Sequence, residues 1–284
     1  MPGPLHLDVF SIIVLYEKTI ASSDTYKTLY ASAKENNFHL SILLYDNSSK
    51  YNKEENNQSD EYVSIDYIHN PQNPGVSAAY NVAANLANAK KITWLLLLDQ
   101  DTVFPTNALC AYKKTMDDYP SQNLIVPILQ SPNGIFSPLK LFLHKAKLWK
   151  TVTEGIYNTK NKSVLNSGVL IKTSVFLNIG GYNEKIKLYF SDFNFFKRYA
   201  KQHTEFFVMN VVCLHNLSDI TNTDINSALS RFKNYCEGAF YSIETKLDFV
   251  LLATTIFLRT MKLSFRYRSF QFYNIFFSHF LKNT

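Results

Sequence analysis

Glycine is scarce in this chain: its 284 residues include only 8, and none falls in the turn after the first apolar run, which reads Tyr16-Glu17-Lys18-Thr19. A dinucleotide-binding turn needs glycines for its tight bend and for close approach to a pyrophosphate, so a nicotinamide or flavin fold is disfavoured. Cysteine is sparse too. The 3 cysteines, Cys110, Cys213 and Cys236, have no metal-ligand spacing, which argues against a disulfide framework or a zinc site and fits a reducing cytosolic setting. Met1 to Asp8 lack a charged segment followed by an apolar one, so no signal peptide is expected there. The longest apolar run, Phe249 to Leu258, is too short to span a bilayer. Acidic residues are missing altogether from Arg259 to Thr284.

What the chain does have is apolar material and positive charge. At 46% hydrophobic and 15% aromatic it can bury a full core, and its length suits one catalytic domain with an appendage. We expect residues 1–8 to be a leader, 9–223 to be the catalytic domain, and 224–284 to be a helical basic and aromatic extension. The net charge of +6 suggests an anionic partner: nucleic acid, a phosphorylated ligand or an anionic membrane.

The first half alternates strands with helices, which predicts an α/β fold with a mostly parallel central sheet. Val9 to Tyr16 reads as a buried strand, and Asp24 to Asn36 as a helix that Asp24 could cap. Leu40 to Asp46 and Tyr62 to His69 read as strands, and Val76 to Ala89 as an alanine-rich helix. Pro105 opens a helix reaching Asp118, and Leu124 to Ile128 reads as a short strand. Residues 130–162 read as irregular. Val164 to Lys172 and Phe206 to Val212 are expected as strands, and Ser191 to Lys201 as a helix. From Asp224 onward only helices are expected, with basic and aromatic residues interleaved, as suits an interfacial helix on anionic lipid.

One stretch stands out. In Thr93 to Thr102, TWLLLLDQDT, a continuous apolar run ends in two acids one residue apart. Such a run reads as a strand buried on both faces, and its carboxyl end is where open α/β sheets bind ligands. Asp99 and Asp101 would repel each other there, so a divalent cation is the natural neutraliser. Asp46 ends an earlier strand, where a carboxylate can hold a ribose or a base edge. Asn73, Gly75 and Asn81 mark a loop-to-helix junction whose free amides suit a diphosphate. Asp192 falls in the first turn of a helix, where the dipole favours the carboxylate form needed by a general base. His215 follows a strand and could be a neutral metal ligand.

The ordered set Asp46-Asn47-Ser48, Asn73-x-Gly75 with Asn81, Asp99-Gln100-Asp101, Asn166-Ser167-Gly168, Gly181-Tyr182-Asn183-Glu184, Asp192 and His215 resembles glycosyltransferase family 2. The LLLLDQDT spelling is similar in particular to its bacterial rhamnosyltransferase-like branch, which builds O-antigen and capsule chains. The resemblance covers roughly residues 9–245. It implies a GT-A fold, a nucleotide diphosphate sugar as donor, Mn²⁺ or Mg²⁺, and transfer with inversion. It implies that Asp46, Asn73, Gly75, Asn81, Asp99 and Gln100 bind the donor, that Asp99, Asp101 and His215 hold the metal, and that Asp192 is the base. Asn166, Ser167, Gly168, Tyr182, Glu184 and Asn194 are the implied acceptor contacts. Relatives often carry a glutamate where this chain has Asn194, and an aspartate where it has Tyr189.

The resemblance further implies a donor such as dTDP-rhamnose, or else UDP-galactose, UDP-galactofuranose or another UDP-sugar. The implied acceptor is a polyprenyl-diphosphate-linked glycan, and the implied location is the cytoplasmic face of the inner membrane, with the extension as peripheral anchor. A sugar nucleotidylyltransferase would need a glycine- and basic-rich loop after the first strand, which is missing. A noncatalytic carbohydrate or membrane-surface module would need no metal. Nucleic-acid binding is disfavoured because the aromatic-rich tail carries no nucleic-acid motif.

Overall fold

Strand β1 (Leu5–Leu15) lies in the middle of the sheet, parallel to β2 (Phe38–Asp46) on one side and β4 (Trp94–Asp99) on the other. The computed structural model describes residues 3–51, 59–132, 134–142, 145–215 and 224–281. β3 (Val63–His69) extends the parallel set beyond β2. These strands are apolar without interruption because both faces of the sheet are covered. On one face Leu29 and Ala33 of α1 (Asp24–Glu35) join Leu109 and Tyr112 of α3 (Ala108–Asp118) over the strands. On the other lie Ala79, Ala83 and Ala87 of α2 (Val76–Ala89), with Phe176 of α4 (Thr173–Asn178) and Phe195 and Tyr199 of α5 (Ser191–Gln202).

Register decides which acids meet. Leu15 pairs with Asp46 and Val14 with Asp99, so both carboxylates leave the same edge of the sheet. β11 (Val169–Lys172) enters antiparallel between β4 and β6 (Leu124–Ser131), with Val169 opposite Leu97. An antiparallel neighbour starts where its partner ends, so the residues preceding β11 arrive beside Asp99. β12 (Glu205–His215) runs parallel to β6 and antiparallel to β5 (Thr102–Val103), which sets His215 opposite Thr102. The sheet is therefore parallel through β3, β2, β1 and β4, and mixed beyond.

Several sequence expectations change. Residues 5–8 belong to β1, with Leu7 buried. Ser23, whose side chain accepts from Tyr26 N, caps α1, and Asp24 sits in the first turn. The region expected to be irregular contains β7 (Gly134–Phe142), β8 (Lys145–Trp149), β9 (Gly155–Asn158) and β10 (Lys162–Ser163). Their antiparallel pairs are short, and those of β7 with β8 and β10 bring lysines together, so no continuous apolar run announces them. The strand expected from Val164 is cut to Val169–Lys172 because Gly168, at φ +84°, turns the chain into it.

The C-terminal helices α6 (Ile225–Tyr241), α7 (Lys246–Tyr267) and α8 (Gln271–Phe280) build their own core around Phe232, Cys236, Ile256, Phe272, Phe276 and Phe280. It is joined to the sheet domain at α5. Lys197 pairs with Glu244 and Asp248 at 3.0 and 3.1 Å, and Lys201 with Glu244 at 3.0 Å. α6 also lies against the chain just before α5: a Cβ on Gly238 would stand 2.1 Å from Tyr189 O. In a free helix Gly→Ala gains about 1 kcal/mol, but overpacking here costs about 1–3 kcal/mol. Gly238→Ala is expected to lower the thermal unfolding midpoint, and an unchanged or raised midpoint would show that α6 is not seated on Tyr189.

Candidate active site

The end of β4 is held by hydroxyls from four other elements. Tyr80 OH, from α2, donates to Asp99 Oδ1 at 2.9 Å, and Thr25, from α1, donates to the Asp99 carbonyl. Asp99 N donates to Ser167 Oγ, which lies 2.7 Å from Thr102 Oγ1. Thr102 Oγ1 is in turn 2.8 Å from His215 Nδ1. Thr102 and Ser167 are fully buried, so this chain of hydroxyls sets the turn from below with little freedom. Asp101 Oδ1 stands 3.5 Å from His215 Nδ1.

The electrostatics of the site are costly. Burial pushes the Asp99 carboxyl up, Asp101's charge pushes it further, and His215 and the Tyr80 hydroxyl pull it back. Burial also holds the Tyr80 phenol far above its ordinary value, so it remains a hydrogen-bond donor. Asp192 occupies the first turn of α5, directly after Phe190, which is in the left-handed region at φ +69°. A bulky residue held there is strained by roughly 1–3 kcal/mol and persists only where the surroundings fix it. Burial pushes Asp192 up to about 7; the Phe193 amide opposes this and the Asp99 charge adds to it. Asp99 and Asp192 both act on Tyr80 and Tyr182, so the two carboxylates lie within electrostatic reach of the same phenols. The Tyr182 ring stacks on Phe195 at 4.2 Å with an interplanar angle of 5°.

Asp99, Asp101, His215 and Asp192 are thus brought together, but several other expected site residues are turned inward. Asn166, Ser167, Gly168 and Tyr182 are all buried. Tyr182 OH donates to Asn166 Oδ1 and Ser167 Oγ accepts from Asp99 N, so Tyr182 and Ser167 spend their hydroxyls on the protein. Asn81 is a bracket: its amide oxygen accepts from Tyr182 N, and its nitrogen donates to Tyr182 O and Glu184 Oε1. Glu184 is exposed at the rim, and Asn194 is buried with its oxygen accepting from Arg198 Nε. Gln100 clamps the backbone of Tyr16 through both ends of its amide. Asp46 is fully buried, accepting from Tyr67 OH at 2.6 Å and from Ser48 N at 2.9 Å, so it orders the wall at the end of β2 without presenting a free oxygen. Gly75, at φ +93°, lets α2 start against Lys187, whose carbonyl would be 2.2 Å from a Cβ. Asn73, also left-handed at φ +46°, shapes the approach to that start.

Sequence reasoning missed Tyr80, Thr102 and Tyr67. Tyr80 could have been found from the helical spacing that puts it on the same buried face as Ala83, Ala84 and Ala87, at the end facing β4. Thr102 and Tyr67 carry no such signal.

The residues present suit a divalent cation. Two carboxylates and an imidazole give the oxygen and nitrogen donors that Mg²⁺ or Mn²⁺ accept, and the Asp101 charge adds to the burial that raises Asp99. Among the described residues no group of three or more His, Cys, Asp or Glu side chains is arranged to hold a metal alone. The protein offers part of a shell, as expected where substrate phosphates complete it.

In fold the chain is similar to solved structures of TarS from S. aureus. It superimposes on "S. aureus TarS 1-349 in complex with UDP-GlcNAc" with TM-score 0.57 at 13% identity, covering 92% of this chain and 73% of that one. On "S. aureus TarS 1-349" the TM-score is 0.51 at 15% identity, covering 95% and 72%. On the longer TarS crystal structure it is 0.54 at 14% identity, and there the chain spans only 42% of the neighbour's length against 87% of its own. No curated protein matches the chain by sequence. Residues 12–179, more than half of the chain and including the end of β1, Asp46, Asp99, Asp101 and the turn Asn166-Ser167-Gly168, match the family described as Glycosyl transferase family 2, and the chain therefore belongs to glycosyltransferase family 2.

Proposed function

We propose that the chain is an inverting glycosyltransferase that moves a sugar from a nucleoside diphosphate donor to a hydroxyl acceptor. The observation that carries this reading is the convergence of Asp99, Asp101 and His215 at one strand end with Asp192 across the same pocket. Asp101, His215 and Asp99 would hold Mn²⁺ or Mg²⁺ together with the donor's phosphates. Bound there, the cation would neutralise the charge that builds on the diphosphate as the glycosidic bond breaks. Asp192 takes the proton of the acceptor hydroxyl, whose oxygen attacks the anomeric carbon from the face opposite the leaving nucleoside diphosphate. The stacked Tyr182 and Phe195 exclude water around the carboxylate. For the donor we favour dTDP-rhamnose, on the LLLLDQDT spelling; a UDP-sugar is the second reading, favoured by the likeness in fold to TarS, which was solved with UDP-GlcNAc.

The acceptor reading includes a membrane. Along α7, Leu247, Val250, Leu258, Met261 and Phe265 recur at successive spacings of three, eight, three and four and are all exposed, which makes an unpartnered apolar stripe. Phe265 is 89% and Phe270 82% exposed. Lys262, Arg266 and Arg268 flank them. An apolar stripe edged by cations suits an anionic lipid surface. Among the described residues no helix is long and apolar enough to cross a membrane, so attachment would be peripheral.

Asp192→Asn is expected to retain donor binding and lose transfer by about 10²-fold or more; full activity would refute the role of base. Because the base must be ionised, transfer by the parent should rise with pH and level off above about 7. Stability runs the other way. A carboxyl raised from 3.8 to about 7 on folding contributes stability that is present at low pH and lost as pH rises through 7. Asp192→Asn should therefore gain on the parent in unfolding free energy between pH 4 and 8, by on the order of 3 kcal/mol. A parallel pH dependence of the two proteins would contradict the buried carboxyl.

A panel of nucleotide sugars, scored by released nucleoside diphosphate with chelator and with added Mn²⁺, is expected to show metal-dependent release from one donor. Release that chelation leaves untouched would count against the cation site. Phe265→Glu combined with Phe270→Glu should abolish co-sedimentation with vesicles containing anionic lipid, and unchanged partitioning would remove the membrane from the reading.

A further inference from the structure

On the side where β7, β8 and β10 approach α5 and α7, two cavities adjoin. The outer one, of about 560 Å³, is lined by Lys140, Lys147, Lys160 and Lys162 together with Leu141 and Asn161. Three of the lysines stand in register: Lys140 lies directly opposite Lys147 on one neighbouring strand and Lys162 on the other. Like charges directly opposite one another destabilise a sheet. None of the four lysines has a carboxylate partner among the described residues. The repulsion is visible in Lys162, whose ammonium is pulled down by burial and by the Lys140 charge. Lys140 Nζ instead rests over the Trp149 ring, 4.7 Å from its centroid, and Lys162 Nζ donates to Asn158 Oδ1. A concave, unneutralised lysine ladder lowers its own energy by taking an anion with more than one charge.

The inner cavity, of about 760 Å³, shares Leu141, Lys160, Asn161 and Lys162 with the outer one, and then becomes apolar. Phe190 and Phe193 form its wall on the α5 side, and Leu247, Leu251 and Leu252 on the α7 side. Leu247, 63% exposed, also begins the apolar stripe of α7. The cavity therefore joins a cationic cleft to the surface argued above to lie on lipid. Phe193 and Lys197, one turn apart on the α5 flank that lines it, belong to the same helix that carries Asp192.

We propose that the two cavities together bind a phosphorylated lipid chain, with its phosphates among Lys140, Lys147, Lys160 and Lys162 and its hydrocarbon between α5 and α7, as the anchor of the acceptor. The assignment of that lipid to the acceptor rests on the transferase reading, because it is the shared helix that brings the anchor near the base. The occupant must be both anionic and apolar: an inorganic anion leaves the leucines and phenylalanines unused, and a neutral lipid leaves the lysines uncompensated.

The test is titration calorimetry of the full chain, with chelator present, using geranyl diphosphate, inorganic diphosphate and octyl glucoside as probes. Geranyl diphosphate is expected to bind at least about tenfold more tightly than either of the others, since a few buried methylenes suffice for that factor. The Lys140→Glu, Lys162→Glu double variant should lose about tenfold or more, Leu247→Asp should lose severalfold, and Asp101→Asn should bind like the parent. Equal affinity for inorganic and geranyl diphosphate, or indifference to both the lysine and leucine variants, would overturn the proposal. So would loss of binding in Asp101→Asn, because the probe would then be in the donor site. Phosphatidylglycerol vesicles that displace geranyl diphosphate completely would assign the cavity to bulk membrane lipid and overturn its role as acceptor anchor. Metal-dependent nucleotide release by the parent without any lipid tests the transferase reading separately, so the two failures are told apart.

Discussion

The repulsion between two carboxylates at the end of a buried strand is the constraint around which the rest of this structure is arranged. Asp99 and Asp101 cannot both stay ionised at low cost in a pocket that water reaches only in part. The chain answers from several sides: the Tyr80 hydroxyl donates to one oxygen, the Ser167 hydroxyl accepts from the Asp99 amide below, and His215 lies beside Asp101. These arrangements reduce the cost without removing it, as the raised Asp99 carboxyl shows. The remaining imbalance is one that a divalent cation would offset.

The second carboxylate environment is of a different kind. Asp192 is raised chiefly by burial, with an aromatic stack near it and the Phe193 amide donating to its carboxylate. A proton acceptor poised near neutrality is more effective than an ordinary exposed carboxylate. Its position depends on the left-handed Phe190, and Phe190 is packed against Tyr235 of α6 with ring centroids 4.9 Å apart. The C-terminal helices thus do more than extend the molecule. They pack against the strained residue that precedes α5, and they supply one wall of the cavity along its flank.

Much of the first half was legible. Continuous apolar runs marked β1, β2 and β4, alanine spacing marked α2, and the two acids after β4 marked the ligand edge. Less could be read where the signal lay in pairing. β7 to β10 are strands of two to nine residues in which polar and apolar residues mix without a regular alternation, so periodicity does not separate them from loop. The turn Asn166-Ser167-Gly168 was recognisable as a motif, but its role was not. Its spacing says nothing of whether the side chains point to an acceptor or, as here, underneath Asp99.

The amino-acid sequence by itself determined the α/β class, the family, the acids at the strand ends, and an acid in the first turn of α5, because these follow from local apolar runs and from short motifs. Only the tertiary structure decided that Asp46, Gln100 and Asn81 spend their polar atoms on the protein, and that Tyr80 and Thr102 serve the site. It also decided that three lysines from separate strands face one another across a cleft. Those outcomes depend on strand register and on which neighbour reaches a given polar atom first, and both are fixed by contacts between residues far apart in the chain.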